Sequence, residues 1–265
     1  MRFCFVVLVL SWNVGASPAE QRERVLESVL PALVYGPTCW SGLELRNLGE
    51  QPATVDVEGH RGSGALAPLA GSAGMRVRLQ PGERASYKLE MEKETATAWI
   101  RVRETIPSAA ASPVVAIGGR TECVMGNRLS SAPLEVAFPT RNPWFSGDVT
   151  EIRGDLLTLI NTSERAATAS LCYSTGGLYS RSREGQTVQE LAPICSTAFE
   201  VQIPPFGMRQ FPVERDGNSH LSLKTQGEAI VLQMLRPLDA SHMVYTVDST
   251  IKFEGEPAKS APPAR

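Results

Sequence analysis

Apolar and charged residues alternate along most of this chain. Leu43-Glu44-Leu45-Arg46, Val55-Asp56-Val57-Glu58, Met75-Arg76-Val77-Arg78-Leu79, Tyr87-Lys88-Leu89-Glu90-Met91 and Ile100-Arg101-Val102-Arg103 each place an apolar side chain at every second position. Successive side chains of a strand point to opposite faces, so each segment offers one apolar and one charged face. Antiparallel sheets with one wet side are written this way. Gly and Pro punctuate the segments, as in Asn47-Leu48-Gly49, Gly62-Ser63-Gly64 and Gln80-Pro81-Gly82-Glu83. Residues 156–254 continue the pattern in Leu157-Thr158-Leu159, Phe199-Glu200-Val201-Gln202-Ile203, Leu221-Ser222-Leu223-Lys224, Ile230-Val231-Leu232 and Ile251-Lys252-Phe253-Glu254. Only residues 17–30 read differently. Ser17 is placed as an N-cap, Pro18 as the first helical residue and Glu20 as the capping-box partner, with Val25, Leu26, Val29 and Leu30 on one face and Pro31 at the end. A short N-terminal helix or arm is predicted there.

The alternation is written twice. NLGEQPATVDVEGHRG from Asn47 is answered by NTSERAATASLCYSTG from Asn161 at a constant offset. Val77 to Pro81 is answered by Val201 to Pro205, and Val114 to Arg120 by Ile230 to Arg236, each of the latter ending in arginine. Ahead of these blocks, Trp40-Ser41-Gly42 is matched with Trp144-Phe145-Ser146-Gly147. A changing offset places an insertion in the second copy around Arg181 to Pro193. The reading is an all-β chain of two tandem antiparallel β-sandwich domains at residues 31–139 and 140–254. A signal peptide over 1–16 precedes the arm at 17–30, and a disordered tail of Pro, Ala, Lys and Ser follows over 255–265.

The chain has 265 residues and ample apolar content at 42%, enough for two domains that fold without a metal. A formal charge of -2 offers no basic excess for phosphates, which argues against nucleic acid as a partner. Arg2 followed by the apolar run Phe3 to Leu10, then Val14-Gly15-Ala16, reads as a secretory signal cleaved after Ala16. That run is too short to span a bilayer, so the mature chain is expected outside the cytoplasm, secreted, periplasmic or at the cell surface, without a membrane span. Export makes disulfides the natural state of Cys39, Cys123, Cys172 and Cys195. Cys39–Cys123 and Cys172–Cys195 is the simplest of three pairings.

At the repeated block the chain resembles the Ig-like, adhesion-type β-sandwich repeats of exported bacterial proteins. The carriers are Leu43 to Val57 and Leu79 to Glu83, with Leu157 to Leu171 and Ile203 to Gly207 in the second copy. The resemblance implies an Ig-like sandwich, a structural or adhesive role and no catalytic residues.

The residues themselves supply little chemistry. His60, His220 and His242 show no metal-ligand spacing and read as surface-loop histidines. No nucleophile elbow or phosphate loop is present, so neither enzyme activity nor a cofactor is expected. Asn47 and Asn161 read as strand-end turn residues, and Asn161-Thr162-Ser163 also fits a glycosylation sequon. Arg120 and Arg236 read as salt-bridge partners. Trp40 and Trp144, taken as equivalent, are expected to plug the base of each core. The alternative is a contact shelf of Trp144, Phe145, Tyr173 and Tyr179, the last two flanking the Gly176-Gly177 turn found only in the second copy. The expected function is contact with an envelope protein or a glycan. The alternatives are a chaperone-like subunit-binding protein, with Arg141 as basic anchor for an added strand, and a carbohydrate-binding protein.

Overall fold

The computed structural model describes residues 23–69, 71–72, 74–89, 93–107, 113–149, 155–183, 186–212, 219–238, 244–247 and 251–257. Among them every regular element is a strand, and no helix is long and apolar enough to cross a membrane. The first half contains β1 (Glu23–Tyr35), β2 (Cys39–Asn47), β3 (Ala53–Arg61), β4 (Gly74–Leu79), β5 (Arg84–Lys88), β6 (Ala96–Pro107), β7 (Val115–Met125) and β8 (Arg128–Leu134). The second contains β9 (Thr140–Val149), β10 (Leu156–Asn161), β11 (Ala167–Arg183), β12 (Gln186–Ile203), β13 (Met208–Pro212), β14 (Ser219–Gln226), β15 (Ile230–Pro237), β16 (Tyr245–Val247) and β17 (Glu254–Pro257).

All pairings are antiparallel. In the first half they form two sheets, β1-β6-β3-β4 and β5-β2-β7-β8. Alternate residues of both sheets enter one core: Leu30 and Leu33 from β1, Val55 and Val57 from β3, Ile100 and Val102 from β6, against Leu43 and Leu45 from β2. The halves of this sandwich are therefore held by the apolar faces that the period-two pattern marks out. The second half repeats both orders, β9-β14-β11-β12 and β13-β10-β15-β16, and joins them through the single pair Ile230–Thr140 into one continuous path. In an Ig-type layout the first strand lies beside the second, and the last beside the sixth. Here those places are exchanged: β1 lies beside β6 and β7 beside β2.

Equivalent strands also keep equivalent register. Asn47 faces Val115 across β2 and β7, and Asn161 faces Ile230 across β10 and β15. The step is thus 114 residues on one strand and 115 on the other. This corrects the alignment of Arg120 with Arg236. The counterpart of Arg120, which pairs with Gly42, is Leu235, which pairs with Leu156. A shift of one residue moves a side chain to the other face. Arg120 lies 3.5 Å from Glu122 on the same strand, whereas Arg236 lies 3.6 Å from the buried Asp155.

Each half is closed by the same buried asparagine. Asn47 Nδ2 donates to the carbonyls of Gln51 (2.8 Å) and Leu79 (3.1 Å), while the Gly49 amide donates to its Oδ1 (2.8 Å). Asn161 Nδ2 donates to the carbonyls of Arg165 (2.7 Å), Pro204 (3.0 Å) and Ile203 (3.3 Å), and the Ser163 amide donates to its Oδ1 (3.1 Å). Both side chains are wholly buried and meet the polar groups of a strand end and the next turn. That burial closes the sequon at Asn161, whose amide nitrogen is committed to the backbone.

Residues 23–30 are strand, not helix. β1 pairs with β6 from Glu23–Pro107 to Tyr35–Ala96 with a bulge between Leu30 and Leu33, and Pro31 sits at that bulge on an edge strand. Residues 17–22 lie outside the described residues, as do the signal segment 1–16 and the tail from 258. The tail expected to be disordered from Gly255 instead forms β17 as far as Pro257, paired along β9. The strand expected over Ile251 to Glu254 begins only at Glu254, although Ile251 and Phe253 still pack against the second core.

Cys39 and Cys123, directly opposite one another on β2 and β7, are joined in a buried disulfide. Cys172 is disulfide-bonded as well. The side chain of Cys195, its expected partner, lies outside the described residues, and the backbone register sets Cys195 opposite Ser174.

Candidate functional site

The outer faces of the equivalent sheets β1-β6-β3-β4 and β9-β14-β11-β12 both carry polar side chains, arranged differently. In the first half the outer face is a lattice of charge. Glu27, Arg103, Asp56 and Arg76 form one row across four strands, and Arg101 and Glu58 lie in the next. Arg101 donates to Glu27 Oε2 through Nε (3.0 Å) and Nη2 (2.7 Å), Arg103 Nη2 to Glu58 Oε1 (3.0 Å) and Arg76 Nε to Asp56 Oδ1 (2.7 Å). The His60 ring, 3.5 Å from Glu58 Oε2, together with Arg103 and Arg101 holds the Glu58 carboxyl down to about 2 against the opposing cost of its burial. Arg76 likewise lowers Asp56. Burial pushes Glu104 the other way, opposed by the Val114 and Val115 amides that donate to its carboxylate.

One end of this charged face is covered by the second half. Trp99 on β6 is fully buried, stacks on His60 at 4.5 Å, and donates its Nε1 hydrogen to the Phe206 carbonyl (3.1 Å). The Phe206 ring lies against the other side of His60 at 5.2 Å and beneath the Arg101 guanidinium at 5.3 Å. Val29 and Trp99 from the first half join Ile160, Met208 and Val231 from the second in one apolar cluster. The Met208 amide donates to Gly62 O (2.9 Å), and a Cβ on Gly64 would collide with the Pro205 carbonyl. His60 is accordingly a buried strand residue, 3% exposed, and not a loop histidine. The reason is that a neighbouring unit, not solvent, lies over it.

The described part of the equivalent outer face of the second half is exposed and mixes charged with neutral polar side chains. Trp144 on β9, 43% exposed, occupies the place of Glu27. Its row continues through Lys224 on β14, Ser170 on β11 and Glu200 on β12, all exposed, with Glu254 of β17 on its other side. The row beside it carries Gln226, Thr168 and Gln202. On the far side stand Ser146, Ser222 and His220, with Ser146 Oγ and His220 Nε2 2.9 Å apart. Where β9 meets the tail strand an open groove of about 540 Å³ is lined by Arg141, Asn142, Trp144, Phe253, Glu254 and Glu256. Asn142 adopts a left-handed φ of 46° and locks this corner, accepting the Gly227 amide on its Oδ1 at 2.9 Å.

The predicted contact residues therefore part company. Trp144 faces outward as the shelf reading requires. Phe145, the next residue, packs into the second core beside Phe253 at 5.6 Å, since neighbours on a strand face opposite ways. The side chains of Tyr173 and Tyr179 lie outside the described residues. Trp40 and Trp144 are not equivalent, because one lies on β2 and the other on β9, the counterpart of β1. Neither plugs a core: Trp40 is partly exposed beneath the Lys88 ammonium at 4.5 Å, and the fully buried tryptophan is Trp99. Trp99 stands one residue before an alternating segment, on its polar face, which is why the pattern did not mark it as core.

Among the described residues no three His, Cys, Asp or Glu side chains come together as metal ligands. No protein-family model, curated protein or solved structure matches the chain.

Proposed function

We propose that this is an exported, non-catalytic protein of two tandem β-sandwich units that acts by contact, with the outer face of β9-β14-β11-β12 as its contact surface. The units are an Ig-like variant in which the first and last strands have exchanged sheets. The observation that carries the reading is Trp144. A large apolar ring stands exposed on β9, beside the β17 edge of a sheet face whose described neighbours Lys224, Ser170, Gln202 and Gln226 are polar, at a position where the first unit has a glutamate in an ion pair. Exposed aromatic area surrounded by hydrogen-bonding groups is the usual composition of a recognition surface. Export is supported by the apolar N-terminal run and by the Cys39–Cys123 disulfide, which belongs to an oxidising compartment. Arg141, the basic anchor of a chaperone-like reading, stands 3.8 Å from Glu256 of the chain's own tail strand.

Cell fractionation tests the reading. The protein should be recovered outside the cytoplasm, shortened by residues 1–16, and partly bound to the envelope fraction. Trp144→Ala should release it into the soluble fraction. An intact N-terminus in the cytoplasm, or envelope retention indifferent to Trp144, would remove the proposal.

A further inference from the structure

We infer that the contact face of the second unit is a binding site for an uncharged, extended polysaccharide, with one sugar ring stacked on Trp144. This rests on the contact reading above and adds the ligand class. The charge pattern selects that class. In the first unit the corresponding positions are Glu27, Arg103, Asp56 and Arg76, all held in ion pairs: Asp56 with Arg76 inside the row, and Glu27 and Arg103 with Arg101 and Glu58 of the next row. In the second they are Trp144, Lys224, Ser170 and Glu200, flanked by the amides of Gln226 and Gln202. With Glu254 of β17 at its other end the row holds one cation and two carboxylates, and Arg141 stands beside Glu256 in the groove, so the two signs are interspersed and no single-sign field gathers an anionic or cationic polymer. Amides and hydroxyls supply donors and acceptors together, the match for a ligand rich in hydroxyl groups.

Geometry agrees with chemistry. Strands repeat at about 4.8 Å, so the row presents a polar side chain at each step, a spacing close to that of successive rings in an extended polysaccharide. The exposed Trp144 ring offers an apolar plane to the carbon face of one sugar, as aromatic side chains do where one side must be apolar and the rim wet. The groove of about 540 Å³ at the β17 end gives that ring depth, in the size range of small-ligand sites.

The test uses the full mature chain and pull-down on insoluble uncharged polysaccharides (cellulose, chitin, xylan, mannan), with an anionic polysaccharide beside them, in low and high salt. Retention on at least one uncharged polymer is expected, unchanged by salt. Trp144→Ala should weaken it about tenfold or more, roughly 1.4 kcal/mol, and Gln226→Ala several-fold. Leu129→Ala, on the exposed edge strand β8 of the first unit, should leave it unchanged. Circular dichroism on each variant separates lost binding from lost fold. Three results overturn the inference: no uncharged polymer retained, retention only on the anionic polymer and lost in salt, or binding unaffected by Trp144→Ala. If no polysaccharide is retained while envelope binding still depends on Trp144, the ligand class is wrong and the contact surface stands. If neither depends on Trp144, both fall.

Discussion

The outer face of β1-β6-β3-β4 and the outer face of β9-β14-β11-β12 are the same surface of the same strand arrangement, put to opposite uses. The first carries ion pairs, and its end is buried under Phe206 and Met208 of the second half. The second carries an exposed tryptophan between Lys224 and Glu254, with serine and glutamine side chains beyond. Register gives the correspondence residue by residue: Trp99 and His60 of the covered face become His220 and Ser174 on the open one. The lesson is that the two halves share what the fold needs, the asparagine locks and the alternating cores, and differ on their outer faces. Function is expected in that divergence.

The largest way to break the comparison is Trp99→Ala. Truncating a fully buried tryptophan typically costs about 3–5 kcal/mol, and here it also removes the hydrogen bond to the Phe206 carbonyl. Calorimetry should show a lower melting temperature and a single transition resolving into two as the halves uncouple. His220→Ala, at the counterpart position, should change stability by no more than about 0.5 kcal/mol. Equal losses at both positions would mean that the covered and open faces are not distinguished as described.

The asparagine locks sharpen the other side of the comparison. Asn47→Ala and Asn161→Ala each leave buried carbonyls and an amide without partners. Each should cost about 2–3 kcal/mol. Denaturant unfolding should give two values that agree to within roughly the uncertainty of the extrapolation, since the hydrogen-bond sets are alike. A neutral outcome at either one would remove it from the shared framework.

Much of this was readable in the chain, and the failures have physical causes. Alternation located the strands because most face solvent on one side. It misread residues 23–30 because β1 is buried on both sides, Leu30 in the first core and Val29 against the second half, and a bulge separates Leu30 from Leu33. Apolar pairs at that spacing look helical. The two tryptophans were matched by local likeness of sequence, whereas hydrogen-bonded register decides equivalence and sets Trp144 against Glu27. The junction of Trp99, His60 and Phe206 joins residues far apart in sequence on positions that read as solvent-facing, and no periodicity encodes what another unit will cover. The open face was half legible: Trp144 was marked as a contact candidate, while its neighbours Lys224, Ser170, Gln202 and Gln226 become a group only through strand pairing.

Acid should act on the charged face through Glu58. Glu58 titrates at about 2 in the folded protein, below its ordinary 4.5. A depressed carboxylate stabilises the fold fully above the unfolded value and loses that contribution as pH falls through the folded one. The window is therefore from about pH 4.5 down to about pH 2. Because the side chain is partly exposed, the contribution is on the order of 1–2 kcal/mol. Denaturant unfolding at the two ends of the window should show that loss in the wild type and much less of it in Glu58→Gln. Cys172 holds the corresponding position in the second half and is disulfide-bonded, so no such titration occurs there. Equal acid sensitivity in wild type and variant would place the lost stability elsewhere.

The smallest net effect falls on the residue where the two halves differ most sharply in backbone. Gly82 and Phe206 occupy equivalent turns, and both have positive φ, 76° and 53°. Glycine adopts that conformation freely, whereas a side-chain-bearing residue there costs about 1–2 kcal/mol. A phenylalanine is kept at such a place when something else holds it, and its ring stacks on His60 while its carbonyl takes the Trp99 hydrogen. Phe206→Gly should thus relieve the strain and forfeit the ring's stacking and partial burial, together about 1.5–3 kcal/mol, so the net destabilisation of the second half should be about 1 kcal/mol. The coupling of the halves should weaken nonetheless, as a broadened or divided calorimetric transition. The mirror variant Gly82→Phe puts the strain into a turn where a Cβ meets nothing within 4 Å. It should destabilise the first half by about 1–2 kcal/mol with no gain in coupling. If Phe206→Gly leaves one sharp transition at higher temperature, the strained turn is not what binds one half to the other, and the apolar cluster of Val29, Trp99, Ile160, Met208 and Val231 carries that task alone.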